Sequence, residues 1–184
     1  MDETDARLLT RAKGGEAAAF LKLYERHRAP AFRFAYRLTS SAPEAEDIVQ
    51  DCFLALLGRD GFDGSQGTLR TYLYGIVRHL AWRRSRLAGR ESDELDDRGA
   101  AEDPLRDLLE HERAQMVERA VAVLPLLQRE ALILFEYEEL SLEEIAVITK
   151  ADVGAVKARL FRARKSLRRR LAPLLAPCRE GSCG

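Results

Sequence analysis

The sequence predicts an all-α protein made of two small helical domains that are joined by a flexible acidic linker. First, apolar residues recur at spacings of three and four along nearly every segment, as they do on one face of a helix. Second, residues 89–104 are charged, contain glycine and lack large periodic apolar residues, which is typical of a linker. Third, a short capped helix, a turn and a longer basic helix follow one another near the C-terminus. The 184 residues, 46% of them hydrophobic, are enough for one ordinary domain or two small ones. The predicted boundaries are 1–88 for the first domain, 89–104 for the linker, 105–172 for the second domain and 173–184 for a cysteine-containing tail.

The first domain is predicted to consist of consecutive helices. Gly14 and Gly15 end a short helix, and apolar residues continue at helical spacing from Glu16 to His27. Pro30 predicts a new helix start, and Ser41 with Pro43 predicts another. The glycine-rich segment Gly58–Thr68 predicts a loop, and Thr68 is placed to cap the helix after it.

The second domain contains the clearest local motif. A helix after Pro104 runs to about Val123 and is broken by Pro125. Ser141 and Glu144 form a capping box, which opens a short helix from Leu142 to about Ile148. Four residues, Thr149–Asp152, separate it from a second helix that Asp152 is placed to cap. The apolar stripe of that helix consists of Val153, Val156, Leu160, Ala163 and Leu167.

The formal net charge of zero hides a segregation of charge along the chain. The segment from Arg70 to Arg90 contains six arginines and no acid, whereas Glu91–Pro104 contains seven acids and one base. Residues Lys157–Arg170 include eight bases and no acid. Charges act within about 8 Å at physiological salt, so the two basic segments predict two separate contacts with a polyanion. Solvated helix faces are the alternative explanation for either segment alone.

A short capped helix, a turn and a basic helix form a helix-turn-helix pattern. Such a second helix fits the major groove, where its N-terminal residues meet base edges and its cations meet phosphates. Lys157 and Arg162 could donate to guanine, and Phe161 could contact a thymine methyl group. Arg159, Arg164 and Lys165 are better placed for phosphate. The alternative is a two-helix packing motif with a basic surface.

Several classes of protein are excluded or disfavoured. No apolar run approaches the roughly 20 residues that cross a bilayer, and the N-terminus is acidic where a signal peptide would be basic. Three cysteines are too few for a disulfide framework, so we expect a cytoplasmic protein without membrane insertion. The histidines are isolated and no catalytic or phosphate-binding motif occurs, so we expect neither an enzyme nor a cofactor.

The motifs of both domains resemble one family. Leu124-Pro125, Leu140–Ala146 and Val153–Arg164 strongly resemble region 4 of extracytoplasmic-function sigma factors, which are group 4 of the sigma-70 family. Ala45–Phe53 is similar to the region 2 helix that grips the polymerase clamp. The segment from Phe62 to His79 resembles the part of region 2 that opens the promoter. The resemblance covers roughly residues 5–87 and 112–171.

This resemblance implies that different segments of the chain bind different partners. The expected partners are core RNA polymerase, through the coiled coil of its largest subunit and its flap, together with promoter DNA and an anti-sigma factor. Asp47, Gln50 and Asp51 match the positions that contact the coiled coil. The residues implied at the −10 element are Phe62, Ser65, Arg70, Arg78, His79 and Arg83. The residues implied at the −35 element are Ala155, Lys157, Ala158, Arg159, Phe161, Arg162, Arg164 and Lys165.

The chain also departs from the family pattern. Glu139 and Lys150 stand where glycine is usual, and Thr149 is less apolar than usual. His79 and Arg83 replace a common Asn and Asp, which places the choice of −10 bases in question. Two other functions stay open: a stand-alone two-domain helix-turn-helix regulator, and a sigma-like decoy that binds only an anti-sigma protein.

The three cysteines have different expected roles. Cys178 and Cys183 could form a redox-sensitive disulfide or supply half of a metal site, and an inert tail is the alternative. Cys52 lies on an apolar helical face and is expected in the core.

Overall fold

The computed structural model describes residues 3–58, 62–64, 67–87 and 107–175, and helices make up nearly all of these residues. The helices are α1 (Asp5–Lys13), α2 (Ala17–Thr39), α3 (Ala42–Gly58), α4 (Leu69–Leu87), α5 (Asp107–Ala122), α6 (Leu126–Leu132), α7 (Leu142–Thr149) and α8 (Val153–Leu175). A π-helical turn, Ile133–Tyr137, continues α6. The predicted all-α class with two helical domains is confirmed, whereas the predicted linker 89–104 lies outside the described residues.

Helices α1–α4 form an N-terminal unit around one apolar core. Helix α2 packs against α1, α3 and α4, and α3 packs against α4. Phe34, Ile48 and Leu73 are fully buried at the centre of this unit. Cys52 is also fully buried, as expected, and burial raises the pKa of its thiol to about 12.

Predicted helix starts are confirmed at two positions and wrong at one. Ser41 Oγ lies 3.4 Å from the Glu44 amide at the start of α3, and Thr68 Oγ1 lies 3.2 Å from the Thr71 amide at the start of α4. No helix starts at Pro30, because α2 runs through this residue without a break. Residues on both sides of Pro30, among them Leu23 and Phe34, are buried against other helices, and this burial offsets the missing backbone hydrogen bond.

Helices α5–α8 form a C-terminal unit in which α8 packs against α5, α6 and α7. Its core includes Ile133, Leu134, Ile145 and Val156, each at most 1% exposed. Helix α7 ends at Thr149, so three residues rather than the predicted four separate it from α8.

The two units also pack against each other. Helix α4 contacts α7, and α2 contacts both α6 and the π-turn. Two acidic side chains of the C-terminal unit, Glu130 and Glu138, are buried at this interface. Within the described residues no helix is long and apolar enough to span a membrane.

Candidate nucleic-acid interface

The structure builds the predicted helix-turn-helix from local hydrogen bonds. The Glu144 amide donates to Ser141 Oγ over 3.2 Å, and the Ser141 amide donates to Glu144 Oε2 over 2.9 Å, which completes the capping box. At the start of α8 the Ala155 amide donates to Asp152 Oδ1 over 2.7 Å. A Cβ atom at Gly154 would lie 3.0 Å from the same oxygen, so glycine leaves room for this cap.

The outer face of α8 presents the predicted −35 side chains to solvent. Lys157, Phe161, Arg162 and Lys165 are exposed, and the phenyl ring of Phe161 is 69% exposed. An exposed aromatic ring among cations is costly in water but suits a surface that meets bases and phosphates. This face therefore has the shape and the charge that a major groove requires.

The other predicted −35 residues lie at the margin of this face or behind it. Arg164 Nη2 lies 2.7 Å from Glu136 Oε1, and its guanidinium stacks 5.1 Å above the ring of Phe135. Arg159 is half-buried, and its Nη1 has no hydrogen-bond partner among the described residues. Ala155 and Ala158 are half-buried. The surface of α8 that is open to DNA therefore consists of fewer residues than the sequence pattern predicts.

The predicted −10 residues divide into an exposed group and a half-buried group held in ion pairs. His79 and Arg83 are exposed on α4. Arg78 directly precedes His79, and Arg70 lies about two turns before Arg78. Both point into the interface between the units, where Arg70 pairs with Glu138 and Arg78 pairs with Glu130. Ser65 lies outside the described residues.

Phe62 lies beside an open cleft of about 590 Å³ at the start of α4. Its ring centroid is 5.6 Å from that of Tyr72, in a tilted arrangement. Arg26 and Thr68 line the same cleft from the N-terminal unit, and Glu144 lines it from the C-terminal unit. Asp5 also lines this cleft and pairs with Arg26, so Phe62 is the group in it that is suited to stack on an unstacked base.

The predicted polymerase-binding residues share one side of α3. Asp47 and Gln50 are exposed, and Leu54, one turn further on, is 68% exposed. Arg84 of α4 lies 3.3 Å from Asp47 and 2.9 Å from Asp51, which fixes both carboxylates relative to α4. An apolar side chain beside fixed polar groups suits a contact with a partner helix.

The sequence prediction missed the acidic side of the interface between the units. The residues it missed are Arg37, Trp82, Glu130 and Glu138. A signal was present, because Glu130 is an acid next to the apolar run Ala131–Phe135. Among the described residues no group of three potential metal ligands occurs, and Cys178 and Cys183 lie outside those residues.

Comparison with known proteins agrees with this arrangement. Residues 23–91 match the family model of Sigma-70 region 2, and residues 114–167 match that of Sigma-70, region 4. The chain is 31% identical to the RNA polymerase sigma-H factor of Pseudomonas aeruginosa over 94% of its length and 96% of that protein. It is also 31% identical to the ECF RNA polymerase sigma-E factor of Escherichia coli K12, with the same coverage.

Solved structures extend the likeness to both units. The sigma factor RpoE from Bartonella quintana, in complex with the anti-sigma factor NepR, superposes with a TM-score of 0.66 at 30% identity, over 83% of this chain and 96% of that one. CnrH in complex with the cytosolic domain of CnrY gives 0.68 at 26% identity, over 93% and 99%. The fold and the two matched regions define a sigma factor of the sigma-70 class, a protein of transcription initiation. Within this class the chain belongs to the extracytoplasmic-function family.

Proposed function

We propose that this sigma factor reads the −35 element with the outer face of α8. The observation that carries this assignment is the exposed row Lys157, Phe161 and Lys165 on a helix whose N-terminus is fixed by the Asp152 cap. Arg162 lies beside this row and supplies a donor for guanine. Arg159 and Arg164 contribute to phosphate contacts, and Ala155 and Ala158 leave room for the backbone of the duplex.

The −10 element is assigned to the cleft beside Phe62 and to α4. Promoter opening takes a base out of the stack at a cost of a few kcal/mol, which contacts to the extruded base offset. Phe62 supplies a stacking surface, and Arg70, Arg78, His79 and Arg83 supply donors for phosphate and base edges. Ser65 is assigned to the same site from its position in the sequence.

Core RNA polymerase is proposed to bind the side of α3 that carries Asp47, Gln50 and Asp51, with Leu54 as the apolar centre of the contact. The partner surface is the coiled coil of the largest subunit, and the C-terminal unit contacts the flap. We also propose that an anti-sigma protein regulates the chain, because one solved relative described above, RpoE from Bartonella quintana, is a complex with the anti-sigma factor NepR. The protein is proposed to act in the cytoplasm as a non-enzymatic initiation factor, with domains at 1–88 and 105–172.

A reconstituted transcription assay tests this proposal. The purified chain is mixed with core RNA polymerase and promoter fragments, and run-off transcripts are measured. A sigma factor gives promoter-dependent transcripts. A stand-alone regulator binds duplex DNA without polymerase and gives none, and a decoy binds neither DNA nor polymerase.

The Asp47→Ala/Gln50→Ala double variant tests the polymerase contact. It should weaken binding to core polymerase by at least about tenfold, since two polar contacts of roughly 1 kcal/mol each are lost. DNA binding by the free chain should not change. Glu25→Ala, which removes an exposed acid on α2, is the matched control. Equal polymerase affinity for both variants would contradict the assignment of this surface.

A further inference from the structure

The interface between the two units places acids of one unit on arginines of the other. Glu138, just after the π-turn, is 2% exposed, and Glu130 on α6 is fully buried. Their ion-pair partners, Arg37, Arg70 and Arg78, all belong to the N-terminal unit. The charge of Arg159 on α8 also acts on Glu130. Such an arrangement forms only when the units are packed together.

Glu138 is the centre of the larger cluster. Arg70 Nη2 lies 3.0 Å from Glu138 Oε2 and 3.0 Å from the Glu138 backbone oxygen. The Tyr74 hydroxyl donates to the same carboxylate, and Arg37 Nη1 lies 3.6 Å from its other oxygen. Arg37 also stacks 4.3 Å above the ring of Tyr137. Three side chains of α2 and α4 thus converge on one carboxylate.

Glu130 forms the second cluster, two turns further along α4. Arg78 Nε lies 2.8 Å from Glu130 Oε2 as an ion pair, although its N–H is not aligned for a hydrogen bond. Trp82 Nε1 donates to the same oxygen over 3.0 Å. This residue is the single tryptophan of the chain.

Carboxylates and phosphates bind arginine through the same donors, so these two acids occupy positions that DNA phosphates would take. The donors that face glutamate, Arg70 Nη2 and Arg78 Nε, cannot bind a phosphate at the same time, although the Arg70 side chain is 41% exposed and the Arg78 side chain 18%. Burying charges costs desolvation energy that largely cancels their attraction, so such pairs fix an arrangement more than they stabilise it. An arrangement of this kind can be opened by a competing partner.

We infer that the two units stay packed together in the free chain, a state that we call closed. In this state Glu138 pairs with Arg70 and Glu130 pairs with Arg78, and both pairs break when the units separate. The inference rests on the proposed function, in which these arginines contact the −10 element. Closure weakens the binding of single-stranded DNA through α4 and couples the exposure of α4 to the separation of the C-terminal unit. The exposed face of α8 is not covered by this contact.

Charge reversal by Glu138→Lys tests the inference in the full-length chain. In the closed chain the lysine would lie between Arg37 and Arg70 and repel both of them. In the open chain residue 138 is no longer near these arginines, so the lysine is tolerated and the substitution favours the open state. The variant should show a larger radius of gyration by small-angle X-ray scattering, a red-shifted Trp82 emission and stronger acrylamide quenching. Circular dichroism should show wild-type helix content. Glu16→Lys is the matched control, because Glu16 pairs with Arg11 at an exposed site inside the N-terminal unit.

DNA binding provides the functional measurement, with a single-stranded oligonucleotide of mixed sequence as the probe. If nine-tenths of the free chain is closed, opening it should raise the affinity about tenfold. Glu16→Lys changes the net charge equally, so any gain that both variants share is non-specific attraction. Arg37→Ala is a second opening variant that lowers the positive charge, and it should also increase Trp82 quenching.

The outcomes separate the inference from the proposed function. The inference is overturned if Glu138→Lys, Arg37→Ala and the wild-type protein share one radius of gyration and one quenching constant. If the variants separate the two units but do not bind DNA more tightly, the closed state of the free chain is supported. The assignment of Arg70 and Arg78 to the −10 element is then overturned. The two conformational measurements need neither polymerase nor promoter, so a negative transcription assay does not affect them.

Discussion

Glu139 and Lys150 hold the backbone in the left-handed region, with φ angles of 53° and 50°. A side chain at such an angle meets the backbone, and a strained residue of this kind costs about 1–3 kcal/mol. These are the two positions at which the sequence departs from a glycine that is usual in the family. The strain was therefore visible in the sequence once the resemblance was known, although residue types alone did not show it.

Replacing Glu139 by glycine should raise the free energy of unfolding by about 0.5–1 kcal/mol, because relief of strain exceeds the added entropy of the unfolded chain. Urea unfolding followed by circular dichroism measures the change. Glu143→Gly is the control, since it puts the same residue inside α7, where glycine should cost about 1 kcal/mol. Destabilisation by both substitutions would show that residue 139 is not strained.

Thr149 is a second residue whose chemistry does not fit its surroundings. Its side chain is buried, and Oγ1 has no hydrogen-bond partner among the described residues. Thr149→Val should therefore raise the unfolding free energy by about 1 kcal/mol. Thr39→Val should lower it by a similar amount, because the Thr39 hydroxyl donates to the Ala35 carbonyl over 3.0 Å. Urea titration of both variants compares a satisfied hydroxyl with an unsatisfied one.

At the scale of elements, local signals predicted helix ends well where side chains cap them. Ser41, Thr68, Ser141 and Asp152 were all identified as caps or helix starts, because each needs only its neighbours in the sequence. Pro30 misled the prediction for the opposite reason. Whether a proline ends a helix depends on how much surface the flanking turns bury, and that depends on residues far away in the chain.

The two halves of α8 should contribute differently to DNA binding. Arg162 lies beside the exposed Phe161 in the first half of the helix, whereas Arg168 lies about two turns later, in the second half. Arg162→Ala should change the preference among −35 sequences by about 1–3 kcal/mol, whereas Arg168→Ala should weaken binding evenly and make the salt dependence shallower. Holoenzyme binding to a panel of −35 variants at several salt concentrations separates these effects. Identical profiles for the two variants would show that the reading face is assigned wrongly.

At the scale of the whole molecule, the sequence predicted both units but not how they pack. Arg70 and Arg78 were recognised as basic residues of α4, and their partners Glu138 and Glu130 are 68 and 52 positions away. No periodicity or capping rule connects residues so far apart. The sequence therefore predicted which helices carry the basic residues, whereas the pairing of these arginines follows only from the three-dimensional packing.

Stability should depend on pH through Glu130, because burial raises the pKa of this carboxyl above its ordinary value. As pH falls from 7, the folded chain binds this proton before the unfolded chain does. The contribution of Glu130 to unfolding free energy therefore rises on acidification, levels off below about 4.3, and is lost as pH rises through the folded pKa.

Urea unfolding of the wild-type protein and of Glu130→Gln between pH 7 and pH 4 measures this contribution. The wild-type value minus the variant value should increase towards pH 4, by at most about 1.4 kcal/mol per pH unit. Carboxyls with lowered pKa values, such as Glu3 and Glu16, act in the opposite direction but are common to both proteins. A difference that stays constant from pH 7 down to pH 4, just below the ordinary glutamate pKa of about 4.3, would contradict the raised pKa of Glu130.

The π-turn Ile133–Tyr137 determines which way the two interface acids face. Eight steps of an ideal α-helix would rotate Glu138 by about 80° relative to Glu130, because each residue turns the chain by about 100°. A π-turn accommodates one extra residue, so the net rotation between Glu130 and Glu138 is only about 20°, in the opposite sense. Both carboxylates therefore face α4. The alignment therefore depends on the wider winding of this turn. Rewinding the same residues as an ideal α-helix would leave Glu138 about 80° from Glu130 and away from Arg70 without altering any charge, whereas deleting the one extra residue together with the turn would leave both acids in line.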